Sequence, residues 1–283
     1  MDNFGLIFLY VKRPGAKHCI KSLFGTVVNA ARGVASQVLT AVNQFIHSFQ
    51  TAFRPQLTKQ YASGDYEAAM QLYYGATKLS YYLIFTISLP ILLETDFILH
   101  LWLGNVVPEY AAVFTKITLL IAFVSVFSNP TSCIAYATGN IKLFTILTSS
   151  VNLLIVPVAY LFLKMGYGPT SAMVVSLVIS IIVQIIRLVV VAHITVLRVG
   201  DYLLHVVLPV AIYTILCVCV PFVLWYFMSE GWLRLLVVIV ASVVSSLGFV
   251  WLVGLNKTEK SFVLSKINAI RSRKNKELKQ TFK

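Results

Sequence analysis

The chain has 283 residues, 58% of them hydrophobic and 12% charged, and carries a formal charge of +13. That usage lies outside the range of soluble globular domains and makes this an all-α integral membrane protein. The charge is not a nucleic-acid signature, because it gathers in the C-terminal tail without aromatic interleaving.

Residues 1–22 read as an atypical leader, either a disrupted span or a short cytoplasmic or interfacial segment. The apolar run "FGLIFLYV" is short, no basic residue precedes it and no small-residue cleavage site follows, so a secretory signal is not indicated. Lys12, Arg13, Lys17 and Lys21 then cluster ahead of the first span. That span is "VVNAARGVASQVLTAVNQFIHSF", residues 27–49. Asn29, Arg32, Ser36, Thr40, Asn43 and His47 recur there at spacings of three and four and make one line along a helix. Val27, Ala31, Val34, Val38, Ala41, Phe45 and Phe49 make the opposite line. Neutral amides and hydroxyls with one arginine suit the wall of a hydrated cavity, with interhelical hydrogen-bonded packing as the alternative.

Six further stretches are long enough to cross a hydrocarbon core of about 30 Å. They run from Tyr73 to Leu93, Val113 to Tyr136, Leu143 to Leu163, Ser171 to Ala192, Val206 to Phe227 and Leu233 to Val253. In lipid the backbone must satisfy itself, so each is a helix, and the expectation is a bundle of about seven. The membrane domain takes in residues 23–255. Ahead of the second span, "SGDYE" reads as a helix start, with Gly64 turning the chain and Asp65 capping. Lys78 and Lys116 are expected to snorkel from span ends. "LHLWLG" places Trp102 on a short outer helix, and Pro130, Pro157, Pro209 and Pro221 are expected to make kinks that neighbouring helices support. Arg187, in "VISIIVQIIRLVVV", joins the candidate site residues as a second cation within a span.

Residues 256–283 are a basic tail holding Lys257, Lys260, Lys266, Arg271, Arg273, Lys274, Lys276, Lys279 and Lys283. Basic loops stay on the cytoplasmic side, so the tail is expected there, touching anionic membrane lipids. Counting back puts the loops holding Arg54 with Lys59, Lys142 and Arg198 on the same side, and the acidic loop of residues 94–112 outside.

The stretch "FGTVVNAARGVASQVLTAVNQFIHSFQTAFRPQLTKQYASGDYEAAMQLYYGATKLSYY", with "LPILLETDFILHLWLGNVVPEYAAVF" and "AYATGNIKLF", resembles the second half of a polysaccharide flippase. The family is the O-antigen and capsule exporter branch of the multidrug/oligosaccharidyl-lipid/polysaccharide flippase superfamily, which is MATE-like. The resemblance covers about residues 23–255, with Arg54 where the family usually has Asn. It implies two lobes around a central cavity, this chain matching the second lobe without its first helix but with two extra helices. It implies a cargo of polyprenyl-pyrophosphate-linked oligosaccharide, translocated across the inner (cytoplasmic) membrane during lipopolysaccharide or capsule assembly. On this reading the chain is no enzyme and needs no cofactor or metal. A missing N-terminal lobe would be its partner, and the chain would be a truncated, inactive half. The other readings are a multidrug exporter and a membrane enzyme of polysaccharide assembly. For the latter, Asp65 with Glu67, Glu94 with Asp96, and Asp201 with His205 are the candidate acid–base pairs.

Overall fold

The structure, a computed structural model, describes residues 14–139 and 141–254. The basic tail and most of the leader lie outside the described residues. Among the described residues the regular elements are helices: α1 (Pro14–Ala62), α2 (Tyr66–Leu93), α3 (Thr95–Leu103), α4 (Ala111–Ser125), α5 (Ser128–Ala137), α6 (Ile141–Leu153), α7 (Ile155–Lys164), α8 (Thr170–Ile194), α9 (Val199–Tyr202), α10 (Leu208–Phe227) and α11 (Trp232–Phe249). Six helical segments are long and apolar enough to cross a membrane, namely α2, α4 with α5, α6 with α7, α8, α9 with α10, and α11. The six apolar stretches of the sequence coincide with them.

Helix α1 is the seventh long helix, and its packing, not its hydropathy, places it in the bundle. It runs alongside α2, α4 and α5. Ala31 and Ala35 pack with Leu99, Ala111, Phe114 and Met173 near one end. Val42, Ile46, Phe53 and Leu57 pack with Leu119, Ala122, Val126 and Ile134 further along. Helix α1 therefore follows the α4–α5 span from its start to its finish. The helix also runs through the expected boundary between leader and membrane domain at residues 22 and 23, and is interrupted instead at Gly25, whose φ of 67° favours glycine.

Two spans break where proline removes a backbone donor. Pro157 cannot donate to the Leu153 carbonyl, and α6 ends at Leu153 before α7 begins at Ile155. Pro130 likewise frees the Val126 carbonyl, and α4 stops at Ser125 with α5 resuming at Ser128. Here a neighbour supplies the donor. The Gln50 amide of α1 donates to Val126 O at 3.1 Å, and its Oε1 accepts from Asn129 Nδ2 at 2.6 Å. Ser128 Oγ donates to Gln184 Oε1 of α8 at 2.9 Å, and the Tyr73 hydroxyl of α2 shares a hydrogen bond with Thr131. Three helices thus brace one break, as expected for a supported kink.

Helix α2 is the centre of the molecule and is buried on nearly every side. Its start is the expected one: Gly64 has φ 82°, and Asp65 Oδ1 accepts the Ala68 N–H at 3.2 Å. Helices α10 and α11 pack on each other and on α2. A polar seam fastens them there: Thr86 and Tyr213 both hydrogen-bond Ser246, Tyr81 bonds Thr214 at 2.9 Å, and the Tyr82 hydroxyl donates to Gly254 O at 3.3 Å. A Cβ at position 254 would fall 2.9 Å from the Tyr82 ring, so a larger residue there requires the ring to shift.

Candidate functional site

The six polar residues of α1 do form a stripe, but the packed side of the helix is not the one expected. Its buried line is Ala31, Ala35, Val42, Ile46, Gln50, Phe53 and Leu57, about a quarter turn from the polar stripe at 100° per residue. Of the expected apolar line only Ala31 is fully buried, while Val27 and Phe45 are 50% and 68% exposed. The polar stripe is left at the rim of the packed face: Asn29, Arg32, Ser36 and Asn43 are half-buried, and Thr40 and His47 exposed.

Those six groups differ in what they can offer a ligand. Asn29 Nδ2 donates to Gly25 O, and the hydroxyls of Ser36 and Thr40 donate to Arg32 O and Ser36 O one turn back. Such bonds satisfy a hydroxyl within its own helix. His47 contacts Thr51 Oγ1 at 3.4 Å. Arg32 and Asn43 are the exceptions: neither side chain has a hydrogen bond or ion pair among the described residues. A half-buried arginine in that state wants water or an anion.

Arg187 stands on α8 in a second polar line, Ser176, Ser180, Gln184 and Arg187, at spacings of four, four and three. The Ser128–Gln184 bond ties that line to the break, as Gln50 ties α1. The two arginines are not brought together. Ala31 packs in the cluster that includes Met173, and Met173 lies fourteen residues from Arg187 along α8, or about 21 Å at 1.5 Å per residue. Arg32 and Arg187 therefore lie at well-separated depths in the bundle.

Other charges fall where the sequence reading had not put them. Glu94, expected in an outer loop, is 1% exposed and accepts a two-pronged bond from Arg234, Nε to Oε1 at 2.7 Å and Nη2 to Oε2 at 2.8 Å. Arg234 also lies 5.9 Å from the Trp225 ring centroid. A signal existed in the sequence: an arginine at the start of the last span, opposite the basic tail, runs against the expected charge asymmetry, and a buried acid is the physical remedy. Lys116 pairs at the surface with Asp96 at 2.9 Å, in keeping with its place near a span end. Lys78 does not snorkel, being 1% exposed in the middle of α2. The reason is that α2 is enclosed by α1, α10 and α11 and offers no path to the interface.

Most members of the candidate acid–base pairs are engaged elsewhere among the described residues. His205 Nδ1 bonds the main-chain carbonyl of Asp201 at 2.9 Å, with its ring stacked on Tyr74. Glu94 is held by Arg234, and Asp65 is a helix cap. Among the described residues no three His, Cys, Asp or Glu side chains gather as a metal-binding set.

The described residues form a multi-pass helical bundle with one polar-edged helix packed along the α4–α5 span. The MatE family model matches residues 19–161, from α1 into α7, and the chain belongs to that family. It is a membrane transporter of the MATE superfamily. Comparison with curated proteins and with solved structures found no match. Helices α8, α10 and α11 lie beyond the matched segment.

Proposed function

We propose that the chain translocates a lipid-linked oligosaccharide, its sugars joined through pyrophosphate to a polyprenyl chain, across the inner (cytoplasmic) membrane during assembly of a cell-surface polysaccharide such as O-antigen or capsule. The observation that carries this reading is Arg32, a permanent cation on the wet edge of α1 without a partner among the described residues. A guanidinium grips phosphate oxygens in a two-pronged fork, while the amides of Asn29 and Asn43 on the same stripe suit sugar hydroxyls. The polyprenyl chain stays in the bilayer, so only the polar head needs a hydrated path. Arg187 is too far away to share one pyrophosphate with Arg32, and a head group crossing the membrane meets the two in turn. An exporter of organic cations would carry an anionic group where Arg32 stands.

Export of polyprenyl-linked saccharide and thiol labelling test the reading in membranes that contain the chain. Arg32→Cys is expected to react with water-soluble thiol reagents. Arg32→Lys keeps the charge without the fork and lowers export in part; Arg32→Ala lowers it further at unchanged abundance. A shielded cysteine, or undiminished export by a well-inserted Arg32→Ala variant, would overturn the assignment.

A further inference from the structure

Four residues of α1, Asn29, Ser36, Asn43 and Gln50, recur every seven residues and share one line along the helix, which drifts by only about 20° at each step. The first three are half-buried at the rim of the packed face, whereas Gln50 is 3% exposed. At Gln50 the polar line leaves α1 and crosses to α5. A second polar line meets it there: Ser125, Asn129, Ser132 and Tyr136 follow one another at spacings of four, three and four along α4 and α5, and all but Ser132 are exposed. Two neighbouring helices therefore present adjoining polar lines, joined by the Gln50–Asn129 hydrogen bond.

That bond leaves Asn129 one orientation. Pro130 frees the Val126 carbonyl, and a carbonyl can only accept, so the Gln50 amide turns its nitrogen to it at 3.1 Å. The Gln50 Oε1 is then what faces Asn129, which has to offer it an N–H, at 2.6 Å. The other N–H of Asn129 and its Oδ1 have no partner among the described residues. Asn129 stands eight residues before the Ala137 end of the span, or about 12 Å at 1.5 Å per residue, where lipid offers neither donor nor acceptor. Side by side on one planar amide, that donor and acceptor match two neighbouring hydroxyls of a sugar ring, one accepting and one donating.

We infer that Asn129 is a saccharide-contacting residue that sets specificity for the sugar part of the cargo, with Gln50 as its positioning residue. This rests on the lipid-linked oligosaccharide reading and adds a contact for the sugar to the one for the phosphates. Arg32 grips a pyrophosphate whatever sugars it carries, whereas a carboxamide held in one orientation distinguishes a matching pair of hydroxyls from none. An asparagine without Gln50 would turn over and accept either arrangement; the bond to Gln50 removes that freedom before the cargo arrives.

The test uses membranes that contain the whole chain and two probes, a polyprenyl pyrophosphate bearing an oligosaccharide and the same lipid without sugar. With Cys19, Cys133, Cys217 and Cys219 replaced by alanine, Asn129→Cys is expected to react with water-soluble thiol reagents, and the sugar-bearing probe to slow that reaction several-fold more than the bare lipid does. In the native-cysteine background, Asn129→Ala lowers several-fold the preference for the sugar-bearing probe, read as the ratio of half-saturating concentrations for export, while Arg32→Ala weakens both probes alike. Gln50→Leu lowers the same preference and does nothing further to it once Asn129→Ala is present; a merely structural Gln50 would change abundance and maximal rate without moving that ratio. A shielded Asn129→Cys thiol, equal protection by the two probes, or an undiminished preference in an inserted Asn129→Ala variant would overturn the inference. Labelling of Arg32→Cys separates the two failures: slowed by both probes, it upholds the cargo reading whatever Asn129 does, and slowed by neither, it overturns that reading and this inference together.

Discussion

Gln50 shows how much of a membrane protein's stability rests on single side chains. It is 3% exposed and serves the carbonyl that Pro130 leaves without a donor. Gln50→Leu keeps the volume and strands that carbonyl in an apolar setting, which costs about 1–3 kcal/mol. Pro130→Ala restores a backbone donor to Val126 O, so Gln50→Leu should cost less in that background. A double-mutant cycle on detergent unfolding measures the difference; equal costs in both backgrounds would show that the Gln50–Val126 bond contributes nothing. The partnership of Gln50 with a broken helix 76 residues away could not be read locally, although Pro130 announced the kink. The place of Arg32 on the polar stripe, by contrast, could be read locally, while its role is the proposal made above. A charged residue amid amides and hydroxyls at helical spacing has few physical uses inside a membrane. Lys78 was misread because its distance from a span end was estimated from the apolar run alone, and α2 extends to Tyr66, well before that run begins.

Among the elements, the apolar spans were visible because lipid selects sequence directly. Each of the six stretches has its helix, and the second and sixth long helices begin seven residues ahead of their apolar runs, at Tyr66 and Val199. The face that α1 packs was not visible, since in a bilayer both lipid and protein accept Val and Phe, and only small residues and unexpected polar ones distinguish them. Ala31, Ala35 and Gln50 were the true markers of the buried line. The attachment of α11 was hidden for a similar reason, its hydropathy being that of any lipid-exposed helix. What fixes it to α2 is the hydroxyl seam around Ser246 and the Glu94–Arg234 pair. Removing one partner of a buried, doubly hydrogen-bonded pair strands the other charge. Arg234→Ala is expected to destabilise by about 3–5 kcal/mol, while Glu94→Leu with Arg234→Met loses far less, because no orphan charge remains. Thermal unfolding of the purified protein in detergent compares the two. A double variant as unstable as Arg234→Ala would mean that the pair's attraction, not the orphaned charge, dominates.

For the whole molecule, charge predicts the direction of insertion, and Arg234 is the residue that runs against it. Lys and Arg gather in the tail and in the loops at Arg54 with Lys59, Lys142 and Arg198, which predicts a cytoplasmic C-terminus. Arg234 lies at the opposite end of the last span and would weaken that asymmetry if it stood free. Instead it is buried against Glu94 and lies 3.6 Å from Glu230, so the end of α11 opposite the tail presents no net positive group to orient. Lys116 is neutralised in the same way by Asp96 on the same side. Alkaline phosphatase fused after Lys283 should therefore be inactive, and a fluorescent protein fused there should fold and emit. Inserted after Val106, in the exposed turn between α3 and α4, phosphatase should be active. The opposite pattern would invert every loop and place Arg32 near the cytoplasmic end of its helix. If Glu94→Gln leaves Arg234 charged and unpaired, a minor population with the last helix inverted should appear, read as phosphatase activity at the C-terminus. No such activity from an inserted Glu94→Gln variant would show that the nine basic residues of the tail hold the orientation by themselves.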